Sequence, residues 1–117
     1  MFINLIVLKV QNIERSKIFY SQFGLIFQSE QHGNGPQHYS CIINGLVFEL
    51  YPASTNLNNP TQNIRLGFHV ENLSQLFETI FDAEKIITPP QNTLFGFRAV
   101  IMNHDGHIIE LTEESKP

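Results

Sequence analysis

The chain repeats itself, and no other feature restricts its fold as strongly. Leu8-Lys9-Val10-Gln11-Asn12-Ile13 returns sixty positions later as Phe68-His69-Val70-Glu71-Asn72-Leu73. The shared pattern is apolar, basic or His, Val, polar, Asn, apolar. Asn44-Gly45-Leu46-Val47-Phe48-Glu49-Leu50 returns sixty-one positions later as Asp105-Gly106-His107-Ile108-Ile109-Glu110-Leu111. Each copy sets a Gly four residues ahead of Glu-Leu, at the entrance to an apolar strand. Chance rarely gives two matches at nearly one offset, so the chain reads as two modules, 1–52 and 64–113. The segment 53–63 is rich in turn formers and poor in apolar residues, and reads as a linker. With 117 residues, two independent cores would each be too small to outweigh chain entropy, so a single domain over 1–117 is expected.

Each module has the same coarse outline. Residues 3–10 look like a strand, and Asn12 can cap a helix whose Ile13, Lys17 stem, Tyr20 and Phe23 share a face before Gly24 ends it. Strands are expected near 25–31, 38–44 and 46–51, the last two joined by the Asn44-Gly45 hairpin signal. In the second module 64–70 reads as a strand. Asn72 with Gln75 resembles a capping box, and Leu73, Leu76, Phe77, Ile80 and Phe81 form an apolar stripe suited to core packing. Strands near 85–88, 97–103 and 107–112 follow. The pattern is α+β, two βαβββ modules.

Composition excludes several function classes. The formal charge is −4 and the seven basic residues are scattered, so no basic stripe invites nucleic acid. An acidic balance slightly favours neutral or cationic ligands. Cys41 is the only cysteine, which rules out an intrachain disulfide and a cysteine zinc site. MFINLIVLKV is apolar but lacks a basic leader, and no stretch approaches bilayer length, so a cytoplasmic location and no membrane partner are expected. Ten phenylalanines imply an aromatic core or pocket.

Strand parity divides each sheet into two faces. One face collects Ile6, Leu8, Val10, Leu46, Phe48, Leu50, Leu66, Phe68, Val70, Ile109 and Leu111, all apolar, as helix-covered faces must be. The other collects Leu5, Val7, Lys9, Val47, Glu49, Tyr51, Arg65, Gly67, His69, Ile108, Glu110 and Thr112. Glu49 and Glu110 hold matching places, and a mid-strand carboxylate is costly when buried without a partner. The pair can grip a metal, bind a cationic ligand, be neutralised by an arginine, or simply face water.

Several segments resemble the vicinal oxygen chelate superfamily of glyoxalases, bleomycin-resistance proteins and extradiol dioxygenases. They are Leu8-Lys9-Val10 with Asn12 and Ile13, then Ser16, Phe19-Tyr20 and Gly24-Leu25; later come Phe95-Gly96-Phe97-Arg98 and Asp105-Gly106-His107 before Ile109-Glu110-Leu111. The resemblance implies two βαβββ modules in a cupped mixed sheet, usually completed by dimerisation. Metal-using members of that family take a ligand from the first and last strand of each module, and these positions map here to Leu5, Glu49, Arg65 and Glu110. Leucine has no donor atom and arginine stays protonated, so no metal and no other cofactor is expected there. The guanidinium of Arg65 is expected to stand near the metal's place and pair with Glu49, Glu110 or both.

The expected ligand contacts are Glu49, Arg65, Glu110, Tyr51, His69, Lys9 and Arg98, with Gly67 allowing close approach. His32 and His38 flank the Gly33-Asn34-Gly35-Pro36 turn within reach of a pocket mouth; each, like His104 and His107, reads as a surface or satisfied histidine. Cys41 lies in an apolar run and reads as structural. The favoured function is a metal-free protein that binds a small organic molecule, with a homodimer expected from sheet edges. The alternatives are a metal-dependent lactoylglutathione-lyase-like or dioxygenase-like enzyme, a metal-independent enzyme with Glu49 or Glu110 as general base, and a non-catalytic partner subunit or sensor.

Overall fold

A computed structural model describes residues 1–53 and 60–113, so most of the expected linker, residues 54–59, lies outside the described residues. The described elements run β1(Leu5–Val10), α1(Ile13–Ser21), β2(Gln28–Glu30), β3(His38–Ile43), β4(Leu46–Pro52), β5(Arg65–Val70), α2(Leu73–Thr79), β6(Ala83–Thr93), β7(Gly96–Asn103) and β8(Ile108–Glu113). The order is βαβββ twice, an α+β protein with two four-stranded mixed sheets, β1-β4-β3-β2 and β5-β8-β7-β6. Contacts divide the chain into two compact units, Met1–Thr61 and Gln62–Pro117.

In the first unit, β1 and β4 run parallel with Leu8 beside Leu50, and β3 and β4 form a hairpin. The hairpin turns at Asn44 (φ 49°) and Gly45 (φ 85°), the left-handed pair that a two-residue turn between right-twisted strands requires. One sheet face is buried: Leu8, Val10, Tyr39, Cys41, Phe48 and Leu50. Helix α1 packs on β3 and β4. Its inward face differs from the expected one. Ser16, Phe19 and Tyr20 are buried, while Ile13 and Lys17 are only half-buried. The small Ser16 side chain lets the helix axis approach the sheet, so the buried stripe turns toward it.

The phenylalanines then interlock edge to face. Tyr20 meets Phe19 at 5.1 Å and Phe48 at 5.4 Å between ring centres, with interplanar angles of 88° and 81°. Each such pair adds about 0.5–1.5 kcal/mol beyond area burial. The Asn12 side chain accepts from the Arg15 amide at 3.0 Å, which caps the helix as its sequence position implies. The Tyr39 hydroxyl donates to Glu14 Oε1 at 2.5 Å and ties the first helical turn to β3.

In the second unit, β5 lies parallel to β8, and β7 pairs with both β8 and β6. Ile109 and Leu111 are fully buried, with Ala99 and Ile101 beside them on β7. Asn72 caps α2 through the Gln75 amide at 3.0 Å, and Glu113 Oε1 accepts from the Leu73 amide at 3.1 Å. Two otherwise unpaired amides of the first turn are thereby satisfied. The helix is shorter than its apolar stripe suggests: Ile80 is already extended and Phe81 is exposed.

Strand β6 is longer than expected, eleven residues where four were read. It includes Pro89 and Pro90 because it lies at a sheet edge and its ladder with β7 breaks between Thr88 and Gln91, so neither proline holds a paired position. Its register with β7 shifts at three places. No helix among the described residues is long and apolar enough to cross a membrane.

Candidate functional site

Both sheets have a second, open face, and each carries its glutamate in the middle. The ladders put the two carboxylates in one register. Val7 stands beside Glu49 on the parallel pair, and Gly67 stands beside Glu110. On the antiparallel side, Ser40 faces Glu49 and Val100 faces Glu110.

In the second unit, Arg65 lies two residues before Gly67 on β5, and Arg98 two residues before Val100 on β7. Period-two alternation aims both arginines across the same face, one from each flank of β8. They converge on a single oxygen. Arg65 Nε donates to Glu110 Oε1 at 2.5 Å, its terminal nitrogen reaches the same oxygen, and an Arg98 terminal nitrogen donates to it at 2.6 Å. Desolvation acts to raise the Glu110 pKa, but the hydrogen bonds and charges of Arg65 and then Arg98 outweigh it and hold the carboxyl below its ordinary value. The trio carries one net positive charge, which reverses the ligand preference suggested by the chain's overall acidity. A carboxylate engaged in this way is also a weak general base. Nothing lies within 4 Å of where a Gly67 Cβ would project, so this strip of β5 backbone is open to a ligand.

In the first unit, no arginine meets the glutamate. Glu49 Oε2 lies 3.5 Å from Nε2 of His38, an ion-pair distance without hydrogen-bond geometry. The His38 ring is fully buried and stacks on Tyr51, with centres 4.0 Å apart and planes 11° from parallel. Lys9 Nζ sits 4.8 Å from the Tyr51 ring centre, a cation–π contact. Burial, then the charges of Glu49 and Glu30, push the Tyr51 hydroxyl above its ordinary pKa. Leu5, Val7 and Ile42 are exposed on the same unit, so apolar surface adjoins this row. A buried imidazole nitrogen with no hydrogen bond costs about 1–3 kcal/mol unless something binds it.

The structure therefore sorts the expected contacts into two groups. Arg65, Arg98 and Glu110 form one cluster, while Lys9, Tyr51 and Glu49 gather around His38. His69 is exposed on β5. His104, read as a turn residue, lies 3.3 Å from both Asp82 and Asp105. His38 was passed over as a satisfied histidine, yet a signal for its place exists. The Asn44-Gly45 turn sets Ser40 opposite Glu49, which brings His38 level with Tyr51. Glu30 is in turn the cross-strand partner of His38, and Glu30, His32 and His38 present ligand atoms within 4.8 Å of one another.

Two of the positions mapped for a family metal offer no ligand atom. Leu5 offers no donor, and the Arg65 guanidinium occupies a lone pair of Glu110 while repelling a divalent cation.

No curated protein matches in sequence. Solved structures do match in fold. An antibiotic binding protein, TnmS3 from Streptomyces sp. CB03234, is 20% identical, with a TM-score of 0.71 over 98% of this chain and 97% of its own. A glyoxalase-related enzyme from Fulvimarina pelagi is 19% identical with a TM-score of 0.71, over 97% of this chain and 88% of its own. A glyoxalase/bleomycin resistance protein from Streptomyces sp. CB03234 is 20% identical with a TM-score of 0.65, over 95% and 99%. The sequence profile of one family spans residues 2–111, and with the doubled βαβββ order it decides the matter: the chain belongs to the Glyoxalase/Bleomycin resistance protein/Dioxygenase superfamily.

Proposed function

We propose that this protein binds a small organic molecule on its open sheet faces, through side chains and not through a metal at the family's usual positions. The observation that carries the reading is the Arg65–Glu110–Arg98 cluster, in which an organic cation engages a carboxylate that metal-using relatives give to an ion. The second unit's face, with one net positive charge, suits an anionic or hydrogen-bond-accepting group. The first unit's face, with Tyr51, Leu5, Val7 and Ile42, suits an aromatic or apolar body. Likeness in fold to an antibiotic binding protein supports the same class of ligand. A cytoplasmic homodimer is part of the proposal; exposed Leu94 and Phe95 at the β6–β7 turn support self-association.

The test is a thermal-shift and calorimetric screen of planar aromatic acids and aromatic antibiotics. A true ligand at a hundred times its Kd adds about 2.7 kcal/mol of stability. Arg65→Ala should weaken a ligand of the second unit's face, and Tyr51→Ala a ligand of the first unit's face, about tenfold or more, a loss of about 1.4 kcal/mol. Ligands that bind whichever variant alters their own face as tightly as wild type would sink the reading. Light scattering at micromolar concentration tests the dimer by mass.

A metal-independent enzyme is the second reading, and Glu49 favours it. Its oxygen lies near an imidazole and not a guanidinium, which leaves a lone pair for proton transfer.

A further inference from the structure

The geometry points to a divalent transition-metal site on the first unit, made by His38, Glu30 and His32, with Glu49, the one donor it shares with the family's usual positions, completing it. This goes beyond organic-ligand binding and does not rest on it.

The argument starts at His38. Its Nδ1 lies 3.2 Å from the Pro36 carbonyl oxygen, which can only accept, so Nδ1 carries the proton. In the neutral ring the lone pair then sits on Nε2, which is sealed from solvent and makes no hydrogen bond. A histidine held by a backbone carbonyl through one nitrogen while the other is left bare is the arrangement that orients metal ligands. Stacking on Tyr51 fixes the ring plane as well.

Glu49 faces that lone pair, and the remaining donors lie on the neighbouring strand and turn. Glu30 is the cross-strand partner of His38, and His32 begins the turn that its carbonyl closes with the Gly35 amide at 2.9 Å. Ligand atoms of Glu30, His32 and His38 lie within 4.8 Å of one another. The closest approaches have the right size. His32 Nε2 is 3.3 Å from Glu30 Oε2, and His38 Nε2 is 3.5 Å from Glu49 Oε2. Donors bound tetrahedrally at ~2.0–2.1 Å from one ion lie about 3.3–3.5 Å apart. The longer separations can shorten by movement of His32, whose side chain is 72% exposed, and Glu30, at 33%. Two imidazoles and two carboxylates give a neutral set with a divalent ion, and the nitrogen–oxygen mixture suits zinc, cobalt or nickel better than calcium or magnesium.

The test uses the full chain stripped with chelator, then loaded with zinc or cobalt alone. The site predicts one equivalent retained through gel filtration, a rise in Tm with zinc, and cobalt absorption of tetrahedral intensity. Truncating His38 also opens a cavity, so the exposed His32 carries the test: His32→Ala should weaken zinc about tenfold or more. Glu30→Gln should do the same, while Glu84→Gln, an exposed carboxylate of the second unit, should leave affinity unchanged. Less than one equivalent retained, or wild-type affinity in His32→Ala, would overturn the site. Because zinc itself is the probe, failure of the organic-ligand screen leaves this result standing.

Discussion

Comparing the two copies position by position separates what the backbone decides from what the side chains decide. Val7 beside Glu49 corresponds to Gly67 beside Glu110, and Lys9 beside Tyr51 corresponds to His69 beside Thr112. Leu5 stands where the second copy has Arg65. His38, level with Tyr51, stands where the second copy has Arg98, opposite Thr112. One ladder therefore delivers two neighbours to each glutamate from the same directions. In the second unit both neighbours are guanidiniums, and the carboxylate is locked in a charge cluster. In the first, one neighbour is apolar and the other an imidazole, and the carboxylate keeps its lone pairs. Identical register does not carry identical chemistry.

The largest expected effect tests whether the copies share one unfolding reaction. Phe48 and Ile109 are equivalent core positions, 2% and 0% exposed. Phe48→Ala should cost about 3–5 kcal/mol and Ile109→Ala about 2–5 kcal/mol in urea titrations. Each is expected to shift one common transition, as a single domain over 1–117 requires. Two separate transitions, with each variant moving only its own, would mean that the copies fold independently.

Next comes the electrostatic contrast. Glu110→Gln should cost about 1–2 kcal/mol, between the values for exposed and buried pairs, since the carboxylate is partly solvated and two cations lose their partner. Its folded-state pKa lies below the unfolded value, so its stabilisation is full above the unfolded carboxylate range and is lost as pH falls through the lowered value. Glu110→Gln should therefore flatten the acid side of a stability–pH curve. An unchanged acid limb would show that the two arginines do not hold this carboxyl in solution.

Helix capping is the feature that the copies share most closely, and it should respond alike. Asn12→Ala and Asn72→Ala each remove one side-chain bond to an amide three residues on, at about 1 kcal/mol by thermal melting. A much smaller loss at Asn72 would mean that Glu113, which binds the Leu73 amide, takes over the cap.

The smallest effect is on Cys41, found only in the first copy. Burial pushes its thiol up to about 11. Iodoacetamide at pH 8 should modify the folded protein far more slowly than the urea-unfolded chain. The raised pKa stabilises the fold below the unfolded thiol's range, and that contribution is lost as pH rises toward about 11. Equal labelling rates would place the thiol at the surface.

The sequence discloses the order of elements because its repeat and its period-two alternation both report backbone register. The same two signals separate the buried face, Leu8, Phe48, Leu50 and Ile109, from the open one, where both glutamates stand. Side-chain partnerships were harder to read. That Arg65 would meet a glutamate followed from charge, but that Arg98 would join it depends on the β7–β8 register, which no local signal states. A single histidine such as His38 carries little pattern, and only the turn at Asn44-Gly45 places it beside Glu49. The inward face of α1 runs through Ser16, Phe19 and Tyr20 and not through Ile13 and Lys17, a rotation set by packing on β3 and β4 that helical spacing alone does not report. Strand β6 runs past Pro89 and Pro90, beyond the 85–88 that sequence pattern marks, because an edge strand tolerates prolines that an interior strand excludes.

The same prolines have a consequence for handling the protein. Pro89 and Pro90 interrupt β6, an edge strand of the second sheet, and the three slips in register keep that edge uneven. An incoming strand from another molecule finds no regular ladder to extend, which disfavours fibril growth on that side. Concentrated solutions should resist amyloid conversion from this border, and replacing both prolines with valine would remove the safeguard.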